Sequence, residues 1–265
     1  MIDTVLRAPS SRRRLPRAGN IPPSHGHSVI ESDNRVSTAL APAPHRPVGA
    51  AFLARPTLEL ARRLLGMRLV RSVDGQRLAG LIVETEAYIG EEDLACHAAA
   101  GLTARNAVMY GPPGHAYVYF VYGMHHCLNV VTERRHSPAA ILIRALEPES
   151  GIAAMAERRH LAGPLAAELA GLGGLSEPAL AAARVRPGRV LRSLCAGPGR
   201  LCQALAIDRT LNGTNMRGAE LRLEHGRTPG KIVTTPRVGI DYAGPWRRKP
   251  WRFLIAGSPW VSRGR

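Results

Sequence analysis

The chain has 265 residues, of which 45% are hydrophobic, and a formal net charge of +16 at neutral pH. That length is enough for one or two domains with a substantial core, whereas no apolar run reaches the roughly 18 residues that a membrane span requires. No apolar stretch follows Arg12-Arg13-Arg14, so no secretory signal is read there, and a cytoplasmic protein (nucleoid-associated in a bacterium) is expected.

In chain order, residues 1–48 are rich in Pro, Ser, Arg and His without periodicity, which predicts a disordered basic extension ahead of one folded domain over 49–265. Thr57–Leu65 reads as a helix, with Thr57 as its cap, Leu60, Leu64 and Leu65 on one face, and Gly66 as its stop. Strands are expected at Arg68–Val73 and Leu78–Glu86, joined by an Asp74-Gly75 hairpin turn. Further strands are expected at Ala116–Tyr122, Cys127–Thr132 and Ala140–Glu147. A helix is predicted over 151–159, and the Ala- and Gly-rich stretch 160–192 reads as a weakly structured insertion. Arg200–Leu205 forms a short helix, and strands resume at Ala219–Leu223, Lys231–Thr235 and Arg252–Ala256. The whole predicts an α+β domain on a mostly antiparallel, curved, open-barrel-like sheet with flanking helices.

The charge narrows the partner. Residues 1–48 account for +4 and the remainder for +12, so the folded part is itself basic, and nucleic acid is favoured over an acidic membrane surface. Two segments carry possible chemistry. In Glu84-Thr85-Glu86-Ala87-Tyr88, period-2 alternation puts two carboxylates and a phenol on one strand face. That is either a solvated face or a working carboxylate beside an aromatic platform. Between 117 and 122 stand four of the 12 aromatic residues, Tyr117, Tyr119, Phe120 and Tyr122, either as core or as a surface on which bases stack.

These segments, with Tyr122-Gly123-Met124, Leu142–Pro148, Gly197-Pro198, Leu201–Leu205, Arg237–Ile240, Arg248–Phe253 and Gly257–Ser262, resemble the alkyladenine (3-methyladenine) DNA glycosylase family. The resemblance runs in order and with close spacing from about Phe52 to Ser262. It implies an enzyme that flips a damaged purine out of duplex DNA and hydrolyses its N-glycosidic bond, starting base excision repair. By residue, it implies Glu86 as the general base on the attacking water, with Arg144 and the carbonyl of Val238 holding that water. It implies Tyr88, Tyr119 and His97 around the flipped base, Asn129 disfavouring guanine, and Tyr122 filling the gap in the duplex. Gly123 and Met124 would flank that wedge at the minor groove. Arg105, in Thr103-Ala104-Arg105-Asn106, would touch the DNA backbone or be a plain surface Arg beside a turn-forming Asn.

Only Lys231 and Lys249 could supply an amine nucleophile, and neither lies in a matched pocket motif, so water is the expected nucleophile. No cofactor and no metal are expected, since Cys96-His97 and His125-His126-Cys127 match no standard zinc spacing. Cys127 and Cys202 read as packed thiols, and His125 and His126 as neighbours of phosphate. A lone lesion has no symmetry to match, so a monomer is expected. The rival reading is a catalytically silent damaged-DNA-binding module of the same fold; the presence of Glu86 and Arg144 speaks against it.

Overall fold

The computed structural model describes residues 46–171 and 188–262. The expected extension lies outside the described residues as far as residue 45, as does the middle of the expected insertion, 172–187. At the near edge of the first of these, Pro47 bridges Glu224 and Val48 is buried.

Eight strands form one open antiparallel sheet: β1 Arg68–Val73, β2 Gln76–Ile89, β3 Ala116–Val121, β4 His125–Thr132, β5 Ala139–Ser150, β6 Leu221–Glu224, β7 Ile232–Thr235 and β8 Arg252–Ile255. Their order is β3-β4-β5-β2-β1-β6, with β8 joining β2 and β7. The fold is thus the α+β domain that the strand pattern predicts. β1 and β2 are joined by a two-residue turn in which Asp74 (φ 51) and Gly75 (φ 70) are both left-handed, the geometry that follows the right-handed strand twist.

β2 organises the molecule. Its first half pairs with β1, residues 84–86 pair with β8 on that same edge, and its other edge pairs with β5 along most of its length. Its faces divide by alternation. Thr85 donates to the carbonyl of Ala61 in the helix Thr57–Arg63, and Ala87 joins the main core, while Glu84, Glu86 and Tyr88 turn the opposite way. That helix buries Leu60, and just beyond its end Leu64 and Leu65 are also fully buried, each worth about 1.5–3 kcal/mol by apolar burial.

Two expectations are corrected. Thr57 is the first helical residue and not the cap; the carboxylate of Glu133 accepts from the Thr57 amide (2.7 Å) and hydroxyl (2.6 Å), capping the helix from a distant turn. The described parts of 160–192 are ordered rather than weakly structured. Helices occupy Ala162–Ala170 and Arg189–Ser193, Leu165 is buried, and Glu168 accepts from the amides of Val190 (2.7 Å) and Leu191 (3.0 Å) at the start of the second helix. Composition hid this because the start of the second helix is capped by Glu168, 22 residues earlier in the Ala-rich run.

Candidate active site

Strand register places the candidate residues in one row. Tyr117 on β3 faces Asn129 on β4, Asn129 faces Leu142 on β5, Leu142 faces Glu86 on β2, and Glu86 faces Arg252 on β8. Directly opposed residues in antiparallel strands share a face, so five strands deliver side chains to one patch. The β2–β5 register shifts around Glu84, leaving Val83 and Arg144 without an opposite partner; such irregularities re-aim side chains.

Glu86 is fully buried yet surrounded by donors. One carboxylate oxygen accepts from the Val238 amide at 2.7 Å; the other accepts from the Tyr88 hydroxyl at 2.8 Å and Arg144 Nη1 at 3.2 Å. Arg144 also reaches Glu84 through Nε (3.0 Å) and the Ser262 hydroxyl through Nη2 (3.4 Å). A second buried pair braces the segment that supplies Val238. Arg237 grips Asp93 with both terminal nitrogens (2.5 and 2.8 Å), donates to the carbonyl of Ala87, and lies over the rings of Tyr88 (4.6 Å) and Trp251 (5.2 Å). Glu84, Glu86 and Asp93 are thus set against Arg144, Arg237 and Arg252, three buried charges of each sign. Unpaired charges at that depth would cost several kcal/mol each.

An aromatic wall stands beside the carboxylates. Tyr88 and Tyr119 pack on the cluster of Tyr117, Cys96, Met109 and Val131. His97 meets Tyr119 edge-on with ring centres 4.4 Å apart, its Nδ1 lies 2.7 Å from the Tyr117 hydroxyl, and Arg105 sits over the Tyr119 ring at 5.6 Å. Burial, and secondarily the charge of Arg105, lowers the His97 pKa to about 4, so the ring is neutral at physiological pH. Burial pushes the Tyr88 and Tyr119 hydroxyls well above their usual range, helped at Tyr88 by Glu86 and at Tyr119 by Cys127, and keeps both protonated. Asn129 is buried and donates to the carbonyl of Tyr117 at 3.0 Å.

At the tip of the β3–β4 hairpin, Tyr122 is 80% exposed and Met124 68%. Tyr122 has φ 55 and Gly123 φ 67. A bulky residue in the left-handed region costs on the order of 1 kcal/mol, and at 80% exposure Tyr122 recovers little of it by burial. His126 packs on Phe120 just below, and His125 lies against Gly199.

A model of the family described as methylpurine-DNA glycosylase matches residues 51–259. The chain belongs to the methylpurine-DNA glycosylase family. It is 48% identical over 213 residues to a protein of Methanocella arvoryzae named "Putative 3-methyladenine DNA glycosylase", covering 80% of this chain and 94% of that protein. A protein of Myxococcus xanthus with the same name is 44% identical, covering 81% and 92%. The mouse "DNA-3-methyladenine glycosylase" is 41% identical over 81% of this chain and 61% of its own length.

The structure brings Arg144, Tyr88 and the Val238 amide to Glu86, sets His97 and Arg105 against Tyr119, and buries Asn129 on the carbonyl of Tyr117. Val238 touches Glu86 through its amide, whereas its carbonyl was the group expected to act. Sequence reasoning missed the Asp93–Arg237 pair and the bonds of Glu84 to Arg252 and Ser262. Arg237, Arg252 and Ser262 all sit in quoted motifs, but only the folded chain shows which acid each one meets. Among the described residues no group of His, Cys, Asp and Glu is arranged to hold a metal ion, and no helix is long and apolar enough to cross a membrane.

Proposed function

We propose that the protein is a monofunctional DNA glycosylase that removes alkylated or deaminated purines of the 3-methyladenine class from duplex DNA. The observation that carries the reading is a buried carboxylate, Glu86, held by an amide, a phenol and a guanidinium at the foot of an aromatic wall.

In this reading, Tyr122 enters the duplex and occupies the gap as the damaged nucleotide swings out, with Gly123 and Met124 against the minor groove and Arg105 near the backbone of the flipped nucleotide. Extrusion costs a few kcal/mol, least for a mispaired or damaged base. The base stacks between Tyr88 and Tyr119 on one side and His97 on the other. An N-alkylated purine is cationic, and aromatic faces attract a cation. A neutral His97 adds no like charge to that pocket, and with Nδ1 engaged by Tyr117 it offers Nε2 to the purine edge. Asn129 stands where a guanine 2-amino group would clash.

The bond between sugar and base then breaks with its electron pair leaving on the purine. Glu86 takes a proton from a water attacking the sugar carbon, Arg144 and the Val238 segment hold that water, and an abasic site results. A positioned base of this kind contributes roughly 10²–10⁴ in rate. Neither lysine supports a Schiff base: Lys249 is held over Trp246 and Trp251, and Lys231 is exposed at the start of β7.

The test is excision from labelled duplexes carrying hypoxanthine or ethenoadenine, and from methylated DNA, with alkali added afterwards. Strand breaks that need alkali, and that vanish in Glu86→Gln while lesion binding persists, are expected. Lesion binding without abasic sites on all three substrates would establish the silent binding module instead.

A further inference from the structure

Glu84 has no part in the chemistry above, yet it accepts four hydrogen bonds at full burial. One oxygen takes Arg144 Nε (3.0 Å), Arg252 Nε (2.7 Å) and the Ser262 hydroxyl (2.9 Å), and the other takes the Ser262 amide (2.6 Å). Arg252 Nη2 in turn donates to the Ser262 carbonyl at 3.2 Å.

We propose that Glu84 is a positioning residue that keeps Arg144 from saturating the base Glu86; this rests on the glycosylase reading. A guanidinium is a planar fork whose preferred partner is one carboxylate held through two parallel bonds. A general base cannot be gripped that way and still offer a lone pair to water. Glu84 prevents it by holding the Nε end of Arg144, so a single terminal nitrogen reaches Glu86, at 3.2 Å, while Nη2 is occupied by the Ser262 hydroxyl. All three guanidinium nitrogens are thereby assigned to different groups. Arg252 offsets the second negative charge, and its place opposite Glu86 on β8 comes from strand pairing rather than from Arg144. Ser262 fastens the segment beyond β8 to the same carboxylate.

Replacing Glu84 with glutamine removes one negative charge and turns one of its two acceptor oxygens into a donor, so the Ser262 amide and the arginines cannot all be satisfied as before. The groups then facing Glu86 are Arg144 from β5, Arg252 from β8, Arg237 from the segment before Val238, Tyr88 on its own strand, Tyr119 on β3 and Cys127 on β4.

The experiment measures, on the full chain, lesion-duplex affinity and single-turnover hypoxanthine excision. It compares wild type with Glu84→Gln, Glu84→Asp and Ser262→Ala. Expected for Glu84→Gln is affinity within about threefold of wild type with excision down at least about tenfold. Glu84→Asp, which keeps the carboxylate, restores part of the lost excision. Ser262→Ala, which leaves the carboxylate in place and tests the clamp if Glu84→Gln does not fold, loses excision more mildly with binding unchanged. Wild-type excision in Glu84→Gln, affinity and excision falling together, or no recovery in Glu84→Asp overturns the inference, as does an unchanged Ser262→Ala where Glu84→Gln does not fold. A wild type inert on every lesion instead removes the glycosylase reading on which it stands.

Discussion

Asp93→Ala isolates the buried pair that steadies the active segment. Both side chains of the pair are fully buried. Asp93 accepts four hydrogen bonds, two from Arg237 and one each from the amides of Ile89 (3.3 Å) and Ala95 (3.1 Å). Without the carboxylate, Arg237 keeps only the Ala87 carbonyl and its two aromatic faces, so a cation is stranded in the interior. Breaking such a pair from one side costs about 3–5 kcal/mol, against a total stability on the order of 5–15 kcal/mol. For a folded body of this size each kcal/mol moves Tm by about 2–4 °C, so a fall of roughly 6–20 °C is expected in a thermal melt. The double variant Asp93→Ala/Arg237→Met removes both charges and should recover at least half of that loss, giving a double-mutant coupling of 1.5 kcal/mol or more on the order-of-magnitude scale used here. A single variant within about 1 kcal/mol of wild type, or a double variant as unstable as the sum of its parts, would show that the pair does not carry the burden assigned to it.

Other outcomes follow from the same geometry. Tyr122→Gly should hold or slightly raise stability, because glycine accepts φ 55 freely, yet weaken lesion binding by roughly 5–150-fold through lost stacking; a parallel change in melting and binding would contradict this. His97 protonates near pH 4 in the folded chain and near 6.5 when unfolded, so between those values the unfolded state binds more protons and stability falls as pH drops. In denaturant titrations at pH 7, 5.5 and 4.5, His97→Asn should lose less stability than wild type on acidification, and a difference independent of pH would refute the assignment. Gly66→Ala should be strongly destabilising, since a Cβ there would lie 2.2 Å from the Arg227 carbonyl at φ +81; an unchanged Tm would be the contrary result.

What could be read beforehand was what alternation and turn chemistry encode locally. The β1–β2 hairpin, the strand runs and the shared face of Glu84, Glu86 and Tyr88 all follow from spacing within about ten residues. What could not be read depends on distant partners. Glu133 caps a helix 76 residues away, Arg237 meets Asp93 across 144 positions, and Ser262 meets Glu84 across 178. Several arginines in a sequence with 34 of them are equally plausible mates for any one acid, and only strand register chooses among them. The family resemblance named Glu86 and Arg144; it gave no reason for Glu84.

The double edge of β2 has a consequence for how the protein comes into being. A chain made from its N-terminus presents Glu84 and Glu86 about 168 positions before Arg252 arrives to face them. Until then β2 lacks its β8 neighbour, and two adjacent carboxylates share the single guanidinium of Arg144. The pocket therefore matures among the last contacts to form, late in synthesis and across long loops that slow folding. A product interrupted before β8 would lack Arg252 and Ser262, and with them three of the four hydrogen bonds to Glu84.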